Sequence, residues 1–458
     1  MSTNNSNNNK EIPKVQRALI MQGGGSLGAY EAGVFRTLYK KISDIDKSKN
    51  KNRLLFDIIT GTSIGAINGA IILSNYLKKG DWRDSIEKLE EYWNTIKTET
   101  LVEKTPGFEQ YWDNLNNSSN GTIASGEAAR RYYSAKQFVT YGAPNVFSSR
   151  FEAYNNKFLD YSARSGYRTS NDILGEFLEQ EGFVKFPILT SFEKKEPRFL
   201  FTTIDVQSGK VVTFDSYNTE VHFWDKSKEI VIEYPRGIQR EHLMTSAALP
   251  QNYDHLEFDD KNNPEKRVFW DGSFLSNTPL RELVQQHREY WKKRDPEKIP
   301  DLEVFIVGLW PRRLKDYPIP NDNDFTEDRK WDIIFHDKTL YDEKVINMIT
   351  DYLDYIHKIK HLIDKRNDTE LSKEIEDLDQ EYTTSFKRSG KRRKYDDILQ
   401  GRFRVYVHRI EREDDTKSIS SKYYDFSKKT TEDLMSIGKK DGEEKVDWDL
   451  VEIISSCE

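Results

Sequence analysis

Ser63 lies between two glycines in Gly61-Thr62-Ser63-Ile64-Gly65, where an apolar run over residues 56–60 gives way to an apolar helical pattern over residues 66–76. A serine at such a strand-to-helix turn has its hydroxyl lifted clear of the sheet. The residues two before and two after it are pressed together, with room for little beyond hydrogen or methyl, a demand that Gly61 and Gly65 meet. The helix that follows points its N-terminal amides and the positive end of its dipole at the serine, which favours an alkoxide or an oxyanion. The chemistry this suits is nucleophilic attack on an ester carbonyl; a plain tight turn is the competing reading.

Gly23-Gly24-Gly25-Ser26-Leu27-Gly28 follows the first apolar run, residues 17–22, and opens the first helical pattern. Its backbone N–H groups can converge on one negative oxygen, as an oxyanion hole requires. The same residues satisfy Gly-x-Gly-x-x-Gly, the dinucleotide fingerprint. That rival needs an acidic residue at the end of the second strand, but Asp57 lies at its start and Gly61 and Ser63 occupy its end.

Asp271 follows the apolar run Val268-Phe269-Trp270 and precedes Gly272 and Ser273. A carboxylate at a strand end, beside a glycine, can reach a neighbouring site, although aspartate also forms ordinary turns there. In the order serine, acid, histidine, the third member would be His287, His336, His357, His361 or His408. His287 falls on a polar helical pattern, the next three in a charged region, and His408 on the outward side of a strand. A Ser63–Asp271 dyad is therefore expected. An ordinary aspartate, with a pKa near 3.9, is a feeble base for a hydroxyl, so the dyad calls for a dry site, which the apolar neighbours of Asp271 suit.

These residues need a scaffold, and two successive strand–turn–helix units, residues 17–39 and 56–76, imply a parallel α/β sheet covered on both faces. Further strands are expected at 199–206, 211–214, 267–270, 304–308 and 402–410, with a helix over 279–291. Residues 101–190 are rich in aromatics, from Phe108 and Trp112 to Phe151, Tyr154 and Phe158, and suit either ordinary packing or the wall of an acyl pocket. The expected organisation is a tail over 1–14, a catalytic domain over 15–312, and a charged, largely helical C-terminal extension over 313–458. Within that extension, the cluster Lys387, Arg388, Lys391, Arg392, Arg393 and Lys394 is expected to be solvated surface.

Composition narrows the function. Among 458 residues, a formal net charge of -7 disfavours nucleic-acid binding and purely electrostatic attachment to membranes. The lone cysteine, Cys457, leaves no internal disulfide and no cysteine-based zinc cluster, and fits a reducing compartment. Residues 64–73, the most apolar stretch, fall far short of the roughly 20 needed to cross a bilayer. A cytoplasmic protein with at most peripheral membrane contact is expected, with neither metal nor organic cofactor.

The glycine-rich loop, Gly61-Thr62-Ser63-Ile64-Gly65, Ser246-Ala247-Ala248-Leu249-Pro250 and Asp271-Gly272-Ser273 stand in the order seen in patatin-like phospholipases, which the chain resembles over residues 17–280 and more loosely over 409–442. The resemblance implies a three-layer α/β/α fold with a mainly parallel central sheet, and hydrolysis of lipid or fatty-acyl esters. It also implies Ser63 as nucleophile, Asp271 as dyad acid, and Gly23, Gly24, Gly25 and Gly28 as the oxyanion loop, with residues 246–250 in support. Two positions depart from the pattern: Leu27 stands where many members carry Arg or Lys, and Ser273 where Gly or Ala is usual. A non-catalytic, lipid-binding module of the same fold is the alternative.

Overall fold

Alternation along the strands decides the layering. In β1 (Val15–Met21), Leu19 and Met21 face one hydrophobic core and Ala18 and Ile20 face another, and all four are fully buried. A strand apolar on both sides must lie between two layers of helices. A computed structural model of the chain describes residues 12–121, 123–149, 171–313, 320, 322–366, 369–386, 392–413 and 417–456. Residues 1–11 of the expected 1–14 tail, Cys457, three basic residues of the cluster (Lys387, Arg388 and Lys391) and three of the aromatics (Phe151, Tyr154 and Phe158) lie outside them.

The strands of the central sheet are β1, β2 (Ile58–Thr62), β3 (Arg198–Asp205), β4 (Lys210–Asp215), β7 (Leu256–Asp260), β8 (Asn263–Asp271), β9 (Asp301–Gly308) and β12 (Val405–Glu411). Two hairpins stand apart, β5 (Glu220–Asp225) with β6 (Lys228–Glu233), and β10 (Tyr382–Phe386) with β11 (Arg392–Lys394). The order is β12-β9-β1-β2-β3-β8-β7, with β4 on the free side of β3. From β12 to β3 all pairings are parallel; β4, β8 and β7 are added antiparallel. The sheet is thus mainly parallel, as expected.

Among the helices are α1 (Ala29–Ser48), α2 (Ile64–Lys79), α3 (Trp82–Ile96), α4 (Phe108–Ser118), α5 (Gly126–Tyr141), α6 (Leu280–Arg294), α7 (Asn323–Phe335), α8 (Leu340–Asp364) and α9 (Lys428–Glu444). One core joins α1, α2, α3 and α9 to Leu19, Met21, Ile59 and Phe305 of the sheet. The other joins α6 and Ile346 of α8 to Ala18, Ile20, Leu302 and Val304. Arg17, also fully buried on β1, is paired with Glu303 of β9 at 2.9 Å and Asp46 of α1 at 3.0 Å, which is what lets a guanidinium lie inside.

Residues beyond 312 are woven into this body. β12 extends the parallel sheet beside β9. Helix α9 lies along α1 at a crossing of small residues: a side chain at Gly33 would overlap the Met435 carbonyl, and one at Gly438 the Tyr30 carbonyl. The Tyr30 hydroxyl then donates to Asp441 at 2.8 Å.

Candidate active site

Ser63 follows β2 and begins the turn into α2 with φ 56 and ψ -127, a left-handed conformation that costs a non-glycine residue about 1–3 kcal/mol. The surroundings hold it there. Its N–H donates to the Ser246 hydroxyl at 2.8 Å, and that hydroxyl donates to the Thr202 carbonyl at 2.7 Å. A Cβ on Gly61 would run into the backbone of Gly65, and one on Gly65 into the carbonyl of Met21. Thus β2 and the first turn of α2 touch backbone to backbone beneath the serine.

Asp271 ends β8, 1% exposed, and its carboxylate meets the Ser63 hydroxyl. One carboxylate oxygen takes two hydrogen bonds from Ser273, from the N–H at 2.8 Å and from the hydroxyl at 2.7 Å. The Asp271 N–H donates to the Ala248 carbonyl at 2.9 Å, so the 246–250 block braces both serine and acid. Burial raises the carboxyl to about 6, outweighing the hydrogen bonds from Ser63 and Ser273 that stabilise the anion. That makes Asp271 a stronger base than a solvated aspartate, while it stays ionised near neutrality. Ser273, which departs from the family pattern, supplies both the N–H and the hydroxyl hydrogen bond to that carboxylate oxygen.

The four loop glycines have different surroundings. Gly23 donates its N–H to Asn277 Oδ1 at 3.0 Å, and its carbonyl accepts from Asn277 Nδ2 at 3.2 Å and Trp310 Nε1 at 2.6 Å. Gly28 lies in the turn leading into α1, where a side chain would strike Ile64 and Trp93. The N–H groups of Gly24 and Gly25 make no hydrogen bond among the described residues. Gly25 has φ 56 and lies against the Tyr423 carbonyl, which leaves no room for a Cβ. Gly24 and Gly25 thus line the cavity with N–H groups that are unpaired among the described residues, while Gly23 and Gly28 shape the loop.

The loop is fastened from below by residues to which the sequence reading gave no role. Gln22 accepts from the N–H groups of Leu309 and Trp310 at 2.6 and 3.2 Å and donates to Thr278 and the Phe335 carbonyl. Asn277 also donates to the Phe335 carbonyl, at 2.8 Å. Asn277 stands six positions after Asp271, and a lone Asn before Thr-Pro carries no signal by itself.

Ser63, Asp271, Gly24 and Gly25 open into a cavity of about 780 Å³, within the range of small-molecule sites. From the aromatic stretch over 101–190 only Phe147, with the aliphatic Val146 and Leu174, lines it among the described residues. Phe108, Trp112 and Tyr133 pack on one another instead. Much of the aromatic wall comes from beyond residue 312, as Trp331, Phe335, Tyr423, Tyr424 and Phe426. Buried Lys422, paired with Asp328 at 3.0 Å and Asp332 at 2.5 Å, ties the Tyr423–Tyr424 segment to α7. At the rim, Phe274 and Leu275 are 43% and 56% exposed.

No histidine lines this cavity. His287, expected on a polar helix, is fully buried in α6, with Nε2 2.8 Å from the Pro300 carbonyl, and burial lowers it to about 3. His408, expected to face outward, is also buried, stacked on Phe305 with Nε2 3.3 Å from Glu303. Period-2 alternation failed there because β12 is covered on both faces. Asp57 receives the Arg17 N–H at 2.7 Å and Arg53 at 3.0 Å, away from the glycine loop, so the fingerprint lacks the acid that would hold a ribose. Among the described residues no helix is long and apolar enough to cross a membrane, and no group of three His, Cys, Asp or Glu could hold a metal ion.

The family model described as patatin-like phospholipase matches residues 19–284, more than half of the chain. No curated protein matches the chain. The crystal structure of VipD from Legionella pneumophila aligns with 93% of this chain and 67% of its own at 11% identity and a TM-score of 0.28, too loose a likeness to inform the site.

Proposed function

The chain belongs to the patatin-like phospholipase family, and from that premise we propose that it is a serine lipid acyl hydrolase working through a Ser63–Asp271 dyad. Lipid acyl hydrolysis is the activity of the family; the dyad and the roles below are our reading. Asp271 takes the proton of Ser63 as its oxygen attacks the ester carbonyl. The carbonyl oxygen becomes an oxyanion held by the N–H groups of Gly24 and Gly25. Collapse of this intermediate expels the alcohol, which leaves with the proton from Asp271, and forms an acyl-Ser63 ester. Water, deprotonated by Asp271, then releases the acyl group as a carboxylic acid and restores the serine.

The observation that carries this reading is the contact of a buried carboxylate with the strained elbow serine, at the end of an apolar cavity. The aromatic walls suit an acyl chain, and exposed Phe274 and Leu275 at the rim suit peripheral contact with lipid from the aqueous side. A fluorophosphonate probe tests the reading directly. Labelling is expected at Ser63, together with release of fatty acid from phosphatidylcholine vesicles, and both should vanish in Ser63→Ala. Labelling that persists in Ser63→Ala would place the nucleophile elsewhere.

A further inference from the structure

Helix α8 is two-faced. Its inner face is bound to the body: Thr350 and Leu353 are buried, Asn347 donates to the Val405 carbonyl at 3.0 Å, and Thr350 donates to that of Phe403 at 2.8 Å. Its outer face carries Tyr341, Met348, Tyr352, Tyr355, Ile359 and Leu362, which are 74%, 50%, 62%, 64%, 38% and 61% exposed. With Val345 these residues recur at alternating steps of four and three, the spacing of a coiled-coil seam. Such a stripe has no counterpart on an ordinary solvated helix. None of the three tyrosine rings touches another ring or a cation among the described residues.

We infer that this seam is an interface at which α8 pairs antiparallel with α8 of a second copy of the chain. Pairing centred between Leu353 and Asp354 sets Tyr352 against the partner's Tyr355, Met348 against the partner's Ile359, and Val345 against the partner's Leu362. On one flank stand Lys344, Asp351 and Lys358, and the same register brings Asp351, which is well exposed although it also pairs with Arg404 at 2.9 Å, within a turn of the partner's Lys358, twice by symmetry. The opposite flank carries Ile349 and Ile356, which meet each other. Tyr352 and Tyr355, nearly two-thirds exposed, at roughly 150–250 Å² per aromatic side chain, offer about 200–300 Å². The aliphatic residues bring each side towards the roughly 800 Å² of a stable interface.

The orientation of α8 favours a second copy over a bilayer. At its start Glu343 pairs with Arg409, towards the end of β12 nearer the cavity, and further on Asp354 pairs with Arg404, just before that strand begins. The seam therefore runs down the flank of the sheet, away from Phe274 and Leu275 at the cavity rim. A bilayer lying on it would not cover the mouth. The flanking charges also alternate in sign, unlike the basic border of a membrane-surface helix.

Sedimentation velocity and light scattering on the full chain test this. At concentrations on the order of 10 µM, the expected mass is twice the 53.8 kDa of one chain. Tyr352→Glu with Tyr355→Glu should give a monomer with an unchanged circular dichroism spectrum and unchanged turnover of a soluble ester. Lys358→Asp alone should weaken association by about tenfold, and adding Asp351→Lys should restore it even though that change gives up the pair with Arg404. A wild-type monomer overturns the inference, as does a dimer indifferent to all of these changes. A monomer that sediments with phosphatidylcholine vesicles only while the tyrosines are present would assign the seam to lipid instead.

Discussion

Thr62 and Asp271 occupy successive rungs on the same side of β3: Thr62 pairs with Thr202, and Asp271 pairs with Thr203. Strand β2 runs parallel to β3 and β8 antiparallel, so their C-terminal ends meet head-on along one neighbour. Ser63, the next residue after β2, is thereby delivered to the carboxylate that ends β8. The two halves of the proposed dyad, more than 200 residues apart in sequence, are brought together by the hydrogen-bond register of a third strand.

Asp271→Asn should lower turnover by at least about a thousandfold while the protein stays folded. Asparagine fills the same space but cannot take the Ser63 proton. No single His→Ala among the eight should cost more than about tenfold, because none reaches the cavity. Steady-state rates on a soluble ester, each paired with a melting temperature, check this; a folded His287→Ala or His408→Ala that loses as much as Asp271→Asn would replace the dyad with a triad.

The pH profile follows from the Asp271 carboxyl, raised to about 6. Only the ionised form accepts the serine proton, so kcat/KM should be level above that pH and fall about tenfold per unit below it. The folded value lies above the ordinary 3.8, so ionisation opposes folding above about pH 6, and this cost disappears as the pH falls towards 3.8. Asp271→Asn should therefore gain most stability relative to the wild type at pH 7–8, with the gap closing under acid. Thermal melts across pH 4–8 read it out, and a gap that widened in acid would contradict the assignment.

Asn277→Leu should lower kcat by about a hundredfold, the loss typical of a spoiled oxyanion hole. Its amide clamps Gly23 through both the N–H and the carbonyl, and without it the Gly24 and Gly25 amides lose their aim. Binding of the ester should change far less, so KM is the control; a rise in KM with kcat intact would mean that Asn277 acts on substrate binding instead.

Phe335→Ala and Tyr423→Ala should distinguish long esters from short ones. Both side chains line the cavity, and each removed contact with an acyl chain should raise KM for a long-chain ester several-fold, at about 0.8 kcal/mol per buried CH₂. Acetate esters should be hydrolysed with nearly unchanged constants. Equal losses on both substrates would indicate a displaced Phe335 carbonyl or Gly25 rather than an altered acyl site.

A chain ending at residue 312 should fail to give a soluble, cooperatively melting protein. It would lose β12, strip α9 from Gly33 and Tyr30, and remove both the Phe335 carbonyl and the Tyr423 carbonyl from the glycine loop. Gly438→Val in the full chain is the milder version, expected to lower the melting temperature by several degrees through the α1–α9 crossing. A stable, active 1–312 fragment would show that residues 313–458 are an appendage.

Local chemistry was legible in the sequence wherever the physical demand is itself local. Gly61 and Gly65 announce an elbow because two backbones a few residues apart must touch, and the strand-then-helix periods around Ser63 and Gly23 follow from burial on both faces of a sheet. The ordered motifs carried the family. What the sequence could not decide depends on chain segments far apart meeting in space. Which amides of the glycine loop are left free was settled by Asn277, 254 positions from Gly23. That His408 is buried was settled by helices covering β12 on both faces, which alternation along the strand cannot report. The aromatics of residues 101–190 suited packing as well as a cavity wall, and Phe108, Trp112 and Tyr133 do pack on one another; several rings of the wall come instead from 331–335 and 423–426, because β12 and α9 fold the C-terminal third back over the site. Contacts of this kind are fixed by packing and register across the whole body, and no window of neighbouring residues contains them.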